Sequence, residues 1–257
     1  MALIAMAVHD TGENQRTEYT EKTLQSLIKT VNLSKHRVIL IDNGSCEGTK
    51  ELLKDASIWY DFEIITLPEN LGTAGAINLA WKYKVEGENL IKMDNDVVID
   101  SSGWVDEMEA AIERDPNIGI IGLKRKDLIE NPWRSDDYKS EIVMLPHEDY
   151  QRWIIVEKVK HVIGTCQMYN HKLIEKIGYL YQPSLYGYDD VLASYRSQVA
   201  GFYNCFLPHI EIDHIDNRET PYWQWKREEA AKGDVEHQRT VSEYLSGKRP
   251  IYYNPYV

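Results

Sequence analysis

The first hundred residues alternate between two hydrophobic rhythms. LIAMAV (3–8) is a continuous apolar run of strand length. Leu24, Leu27, Ile28 and Val31 recur at helical spacing and predict an amphipathic helix over roughly 17–32. RVILID (37–42) reads as a second strand, ending in Asp42-Asn43-Gly44-Ser45, a turn and helix-start signal. A helix over about 47–56, a strand at FEIITL (62–67), a helix growing out of NLGTAGAINLAWKYK and a strand at LIKMDNDVVI follow. Such alternation builds an α/β sheet of parallel strands. Ligands of these sheets bind beyond the carboxyl ends of the strands. His9-Asp10, Asp42-Asn43, Glu69-Asn70 and Asp94-x-Asp96 all fall at those ends.

The second half is less regular. A helix near 102–114 precedes a strand at NIGIIGL (117–123). Residues 124–152, with Pro132, Pro146 and many charges, read as a long loop or excursion. Residues 154–170 alternate like strands, HKLIEKIGYL is helical up to Gly178, and YGYDDVLASYRSQVAG (186–201) is a loop running into a helix. FYNCFLPHIEIDHID is a strand pair or one bent strand. From 217 the chain is polar, with Tyr222, Trp223 and Trp225 early and YYNPY near its end, which predicts one helix and a terminal strap.

With 257 residues, 43% of them hydrophobic, the chain is long enough for one large domain with a sizeable core. A net charge of −12 gives no electrostatic reason to expect tight binding to duplex nucleic acid or to a membrane surface. Cys46, Cys166 and Cys205 are widely spaced and contain no CxxC pair, which argues against a zinc site or a disulfide framework and fits a reducing, cytoplasmic setting. No apolar run approaches the roughly 18 residues of a spanning helix.

The Asp-x-Asp in IKMDNDVVID carries the chemistry. Two carboxylates two residues apart interrupt a buried strand on one side. They are costly there unless something positive binds them, and a hard divalent cation carrying a phosphate answers that need.

Six pieces in order, VILIDNGSCEGT (38–49), NLGTAGAIN (70–78), MDNDVVI (93–99), GTCQMYNHKLIEKIGYL (164–180), YGYDDVLASYR (186–196) and a late His214, resemble the family 2 nucleotide-sugar glycosyltransferases of GT-A fold. The resemblance covers residues 3 to about 216. It implies a GT-A-like, Rossmann-like, mostly parallel central sheet flanked by helices, with a smaller mixed sheet on the acceptor side. It implies one catalytic domain over 1–216, with 1–100 the nucleotide-sugar half and 101–216 the acceptor half. Residues 217–257 would be a C-terminal helix and aromatic tail, a possible lid.

By the same resemblance, Val8, His9, Asp42, Asn70, Gly72, Asp94 and Asn95 bind the nucleotide sugar. Asp42 would meet the base or ribose, although Asp is also a good helix N-cap. Gly72 and Gly75 would let a ligand approach the backbone. Asp96 and His214 would ligate Mn²⁺ or Mg²⁺, with Asp213 and Asp216 as neighbours of the histidine. Asp190 would be the general base and Asp189 its partner, although two acids also suit a helix N-terminus. Leu192 stands where the family has a further acid. Tyr186 and Tyr188, with Tyr179 and Tyr181, would form an acceptor platform or simply pack the core.

The implied activity is metal-dependent inverting transfer from a nucleoside-diphosphate sugar, most commonly a UDP-sugar, to an acceptor hydroxyl. A glycan, a lipid-linked sugar, a protein and a modified nucleobase all remain open as acceptors. The alternatives are a nucleotidyltransferase on a related fold, against which AVHDTGENQR lacks a glycine-rich basic loop, and a non-catalytic nucleotide- or glycan-binding protein.

Overall fold

The computed structural model describes residues 1–14, 16–127, 141–146, 152–216 and 220–257. Four parallel strands make its first half: β1 (Ala2–Val8), β2 (Arg37–Asn43), β3 (Glu63–Leu67) and β4 (Asn89–Met93). They are connected through α1 (Arg16–Thr30), α2 (Glu47–Tyr60) and α3 (Gly72–Trp81). The expected fourth strand breaks at the Asp-x-Asp. β4 stops at Met93, and β5 is only Val97–Val98. The two carboxylates therefore lie on the turn between strands.

The rest of the chain comprises α4 (Trp104–Arg114), β6 (Ile118–Arg125), β7 (Glu141–Pro146), β8 (Trp153–Val159), β9 (Cys166–Tyr169), α5 (His171–Ile177), α6 (Asp189–Val199), β10 (Tyr203–His214) and α7 (Pro221–Leu245). These strands continue the same sheet, in the order β3-β2-β1-β4-β9-β6-β10-β8-β7. β9 lies antiparallel between β4 and β6 and joins the two halves. β7 falls inside 124–152, a stretch that reads as loop because EIVMLP is short and ends in proline. Its alternation shows only once it pairs with β8. Part of the predicted excursion, 128–140 and 147–151, lies outside the described residues.

The short apolar runs are strands because both faces are covered. Ile4, Met6 and Val8 pack with Leu24, Leu27 and Met108 on one side; Leu3 and Ala5 pack with Ile77, Ala80 and Trp81 on the other. Each fully buried Leu, Ile or Met contributes about 1.5–3 kcal/mol.

FYNCFLPHIEIDHID is one bent strand. Its pairing with β6 shifts register between Leu207 and Glu211, a span that contains Pro208, a residue without an N–H for the ladder. Beyond the shift the strand runs antiparallel to β5, pairing His214 with Val97 and Asp213 with Val98. That bend delivers His214 to the Asp-x-Asp turn. The terminal strap forms as expected: Tyr253 N donates to Ile177 O and Tyr179 N to Tyr253 O, and Tyr179 and Tyr181 pack edge-on against Tyr256 and Tyr253. Among the described residues no helix is long and apolar enough to cross a membrane.

Candidate active site

The Asp-x-Asp turn is held by a polar stripe on α1. Asn95 Nδ2 donates to Thr20 Oγ1 (2.8 Å) and Val97 N to Thr23 Oγ1 (3.1 Å). Ser26 Oγ accepts from Ile99 N and donates to Ile99 O, both at 2.7 Å. One turn earlier, Arg16 reaches Asp96 Oδ2 through Nη1 (2.6 Å) and Asp216 Oδ1 through Nη2 (2.5 Å). Lys226 of α7 pairs with Asp216 Oδ2 (2.8 Å) and lies 3.6 Å from Asp96.

Asp96 Oδ1 remains buried without a hydrogen-bond partner, 3.4 Å from His214 Nε2. Ligand atoms of Asp96, His214 and Asp216 all lie within 4.8 Å of one another. Two carboxylates and an imidazole, with an unsatisfied oxygen turned to the ring, form a donor set that suits Mn²⁺ or Mg²⁺. Asp213 is not part of it and pairs instead with Lys126 at 2.6 Å. Burial opposes the charge on Asp96, but Lys226, His214 and Arg16 outweigh it and hold the carboxyl well below the usual carboxylate range.

Above this cluster lies a cleft open to solvent, with about 520 Å³ of empty space when its open mouth is counted. Its walls include His9, Asn43, Asn70 and Thr73 from strand ends and the start of α3, Asp94, Asn95 and Asp96, and Tyr186, Tyr222, Trp225 and Lys226. The last three sit at i, i+3 and i+4 on α7 and so share one helix face. Tyr222 stacks on Trp225, and its ring lies 4.5 Å from the Arg16 guanidinium. About a third of the Asp94 side chain is exposed, yet the surrounding walls desolvate its carboxylate. Burial, with Asp96 and Asp189 added and Lys92 opposing, pushes its pKa up to about 6.

Asp42 is fully buried at the end of β2, accepting from Ser45 N (2.8 Å) with Oδ2 unpaired. Its neighbour Asn43 is the residue that lines the cavity. His9 Nδ1 lies 3.0 Å from Asn43 O, and Val8 is buried beneath. Gly72 takes φ +76, and an added Cβ would lie 2.8 Å from Leu185 O, so a larger residue has neither the backbone freedom nor the space.

The acidic pair opens α6 beside this cavity. Lys92 in β4 lies 3.4 Å from Asp94 Oδ1 and 3.1 Å from Asp189 Oδ2. Asp190 Oδ2 accepts from Gly164 N (2.8 Å), and His161 Nε2 is 3.6 Å away. Tyr188, the residue before the pair, is held at φ +68 by stacking on His237 and a hydrogen bond to Asp234. A tyrosine is rarely left-handed, and such strain tends to collect at functional sites. Leu192, which stands where the family has an acid, is fully buried.

A family model described as Glycosyl transferase family 2 matches residues 13–178, well over half of the chain. The chain belongs to glycosyltransferase family 2. The poly-β-1,6-N-acetyl-D-glucosamine synthase of Staphylococcus epidermidis is 22% identical over 167 residues, which are 63% of this family 2 chain and 39% of the synthase. The Staphylococcus aureus synthase is 22% identical over 190 residues, 72% of this chain and 44% of that one. The chain thus spans about two fifths of the curated relatives it matches.

Among solved structures, the mannosyltransferase PcManGT from Pyrobaculum calidifontis, in complex with GDP-Man and Mn²⁺, aligns with a TM-score of 0.65 at 15% identity. That alignment covers 96% of this chain and 74% of PcManGT. S. aureus TarS 1–349 in complex with UDP-GlcNAc aligns with a TM-score of 0.61 at 16% identity, covering 95% and 72%. At these identities the likeness establishes the GT-A-like fold of this family 2 member.

Of the residues expected for the site, Asp94, Asn95 and Asp96 share the cavity with His9, Asn70 and Tyr186, while His214 joins Asp96 from below. Tyr186 and Tyr188 part company: Tyr186 lines the cavity wall with Asp94, whereas Tyr188 turns to His237. Arg16, Lys92, Asp216 and Lys226 complete the charge network and were not among the expected ligands. A signal for Arg16 does exist, because Arg16, Thr20, Thr23, Ser26 and Thr30 are spaced as one helical stripe, all of them buried.

Proposed function

We propose that this family 2 chain transfers a sugar from a nucleoside-diphosphate sugar to an acceptor hydroxyl, with inversion and with metal dependence. The observation that carries the reading is the convergence of two acidic pairs: Asp94 and Asp96 line the cavity, and Asp189 lies one lysine away from Asp94. Asp190, at the start of α6 and partly exposed, is the base that takes the acceptor proton as the hydroxyl attacks the anomeric carbon. Asp189 orients it. A strand-end cavity floored by carboxylates suits a ribose and a cation-bound diphosphate.

Asp96 and His214, with Asp216, would hold the cation. When bound, Mn²⁺ or Mg²⁺ offsets the negative charge that develops on the leaving diphosphate. Arg16 keeps the Asp96 carboxylate oriented, and Lys226 adds a second positive charge beside the cavity. Asn43, Asn70 and His9 offer polar groups to the nucleotide. UDP-GlcNAc and GDP-mannose, present in the two structural neighbours described above, are the first donors to try.

Thermal-shift binding with UDP, GDP, CDP and dTDP and these two sugars, in Mn²⁺ and then in EDTA, tests the reading. A stabilisation by one nucleotide that disappears in EDTA supports it and names the donor base. A chain that no nucleotide stabilises, and that hydrolyses neither sugar, refutes it.

A further inference from the structure

Lys92 lies in the middle of the sheet, in an otherwise apolar stretch of β4, with its side chain 4% exposed. A buried ammonium is costly in such a place, and one carboxylate would be enough to neutralise it. Lys92 has more, and its partners come from three separate elements. Asp94 (3.4 Å) belongs to the donor cavity and Asp189 (3.1 Å) to the first turn of α6. Gly164 O accepts from Lys92 Nζ at 2.9 Å, and Gly164 N in turn donates to Asp190 Oδ2 at 2.8 Å. The glycine permits this crowding, since a Cβ there would lie 2.7 Å from Lys92 Nζ and 3.1 Å from Asp190. Burial works against the ammonium, yet Asp189, Asp94 and Asp190 hold its pKa well above the ordinary lysine value, so it stays charged.

We infer that Lys92 is a positioning residue for the transfer reaction, fixing in one arrangement the donor-side carboxylate of Asp94 and the Gly164 loop whose N–H holds Asp190. The inference rests on the function proposed above. Without the ammonium, Asp94 and the loop lose their common anchor. The donor still binds through Asp96, His214 and the cavity walls, but the base no longer meets it in register. Rates of oriented reactions are sensitive to shifts of about 1 Å.

Lys92→Met alone leaves Asp189 buried and unpaired, so the test is made on an Asp189→Asn background, where removing the ammonium no longer strands the Asp189 charge. Turnover of UDP-GlcNAc or GDP-mannose, whichever the chain hydrolyses with Mn²⁺, is measured for wild type, Asp189→Asn and Asp189→Asn/Lys92→Met, with thermal midpoints as the check on folding. Adding Lys92→Met is expected to lower kcat a further tenfold or more, about the scale of coupled neighbours, while the donor KM moves less than about threefold. No further fall in kcat means that Lys92 only neutralises Asp189, and a loss carried by KM means that it serves donor binding; either overturns the inference. A wild-type chain with no turnover and no nucleotide binding brings down the functional reading itself, a result distinct from an active chain that is indifferent to Lys92.

Discussion

Arg16 and Asp96 form a buried ion pair across 80 residues of sequence, with Arg16 Nη1 donating to Asp96 Oδ2 at 2.6 Å and both side chains under 5% exposed. Asp216, from the other end of the chain, takes the second nitrogen of the same guanidinium. Arg16→Met leaves these carboxylates with Lys226 and His214. Removing one partner of a buried pair costs about 3–5 kcal/mol, and urea unfolding is expected to show a loss of that size. Mn²⁺ should restore part of it, because the cation returns positive charge to the same oxygens.

Asp96→Ala removes the carboxylate that faces His214. Nucleotide-dependent stabilisation in Mn²⁺ should fall to the level seen in EDTA. Calorimetric titration of Mn²⁺ checks this independently of activity. An unchanged metal affinity would move the cation away from Asp96.

Asp190→Asn keeps the shape of the side chain, and its remaining amide oxygen can still accept from Gly164 N. Nucleotide binding should stay within about twofold of wild type, while transfer falls by ~10²–10⁴, the usual contribution of a positioned base. Normal transfer by this variant would remove Asp190 from the mechanism.

Asp94 sets a pH dependence whose sign follows from its surroundings. Its folded pKa of about 6 lies above the unfolded value of 3.8, so the folded chain binds the extra proton between the two. The ionised carboxylate is therefore a destabilising group that acts fully above about pH 6 and is relieved as pH falls towards about 4. Asp94→Asn should melt higher than wild type at about pH 8, by a few degrees, and the two curves should converge near pH 4. Asp96 has the opposite sign. Its depressed pKa gives stability that is present above the unfolded value and is lost only as pH falls through the folded one. Melting temperatures of both chains without metal across this range provide the check.

Much of the first half was legible because its signals are local. Each strand end announces itself where an apolar run meets a polar residue, and in a parallel sheet those ends share one edge. His9, Asn70, Asp94, Asn95 and Asp96 were all found in this way, and all five line the cavity. The aromatic cluster before α6 was less informative. Tyr179 and Tyr181 pack against the terminal strap, Tyr186 lines the cavity and Tyr188 stacks on His237, three fates that spacing alone does not distinguish.

By itself, then, the sequence determined the parallel α/β first half, the order of its motifs and the carboxylates at the strand ends, because the period of apolar residues and the residues that stop it are properties of neighbouring positions. Tertiary structure decided which charges meet. The register shift around Pro208 sets His214 beside Asp96, β9 inserted between β4 and β6 brings the loop through Gly164 to Lys92, and α7 returns Lys226 and Trp225 to the wall of the cavity. These pairings join residues far apart in the chain, and a buried ion pair is recognisable only where folding has excluded the water around both partners.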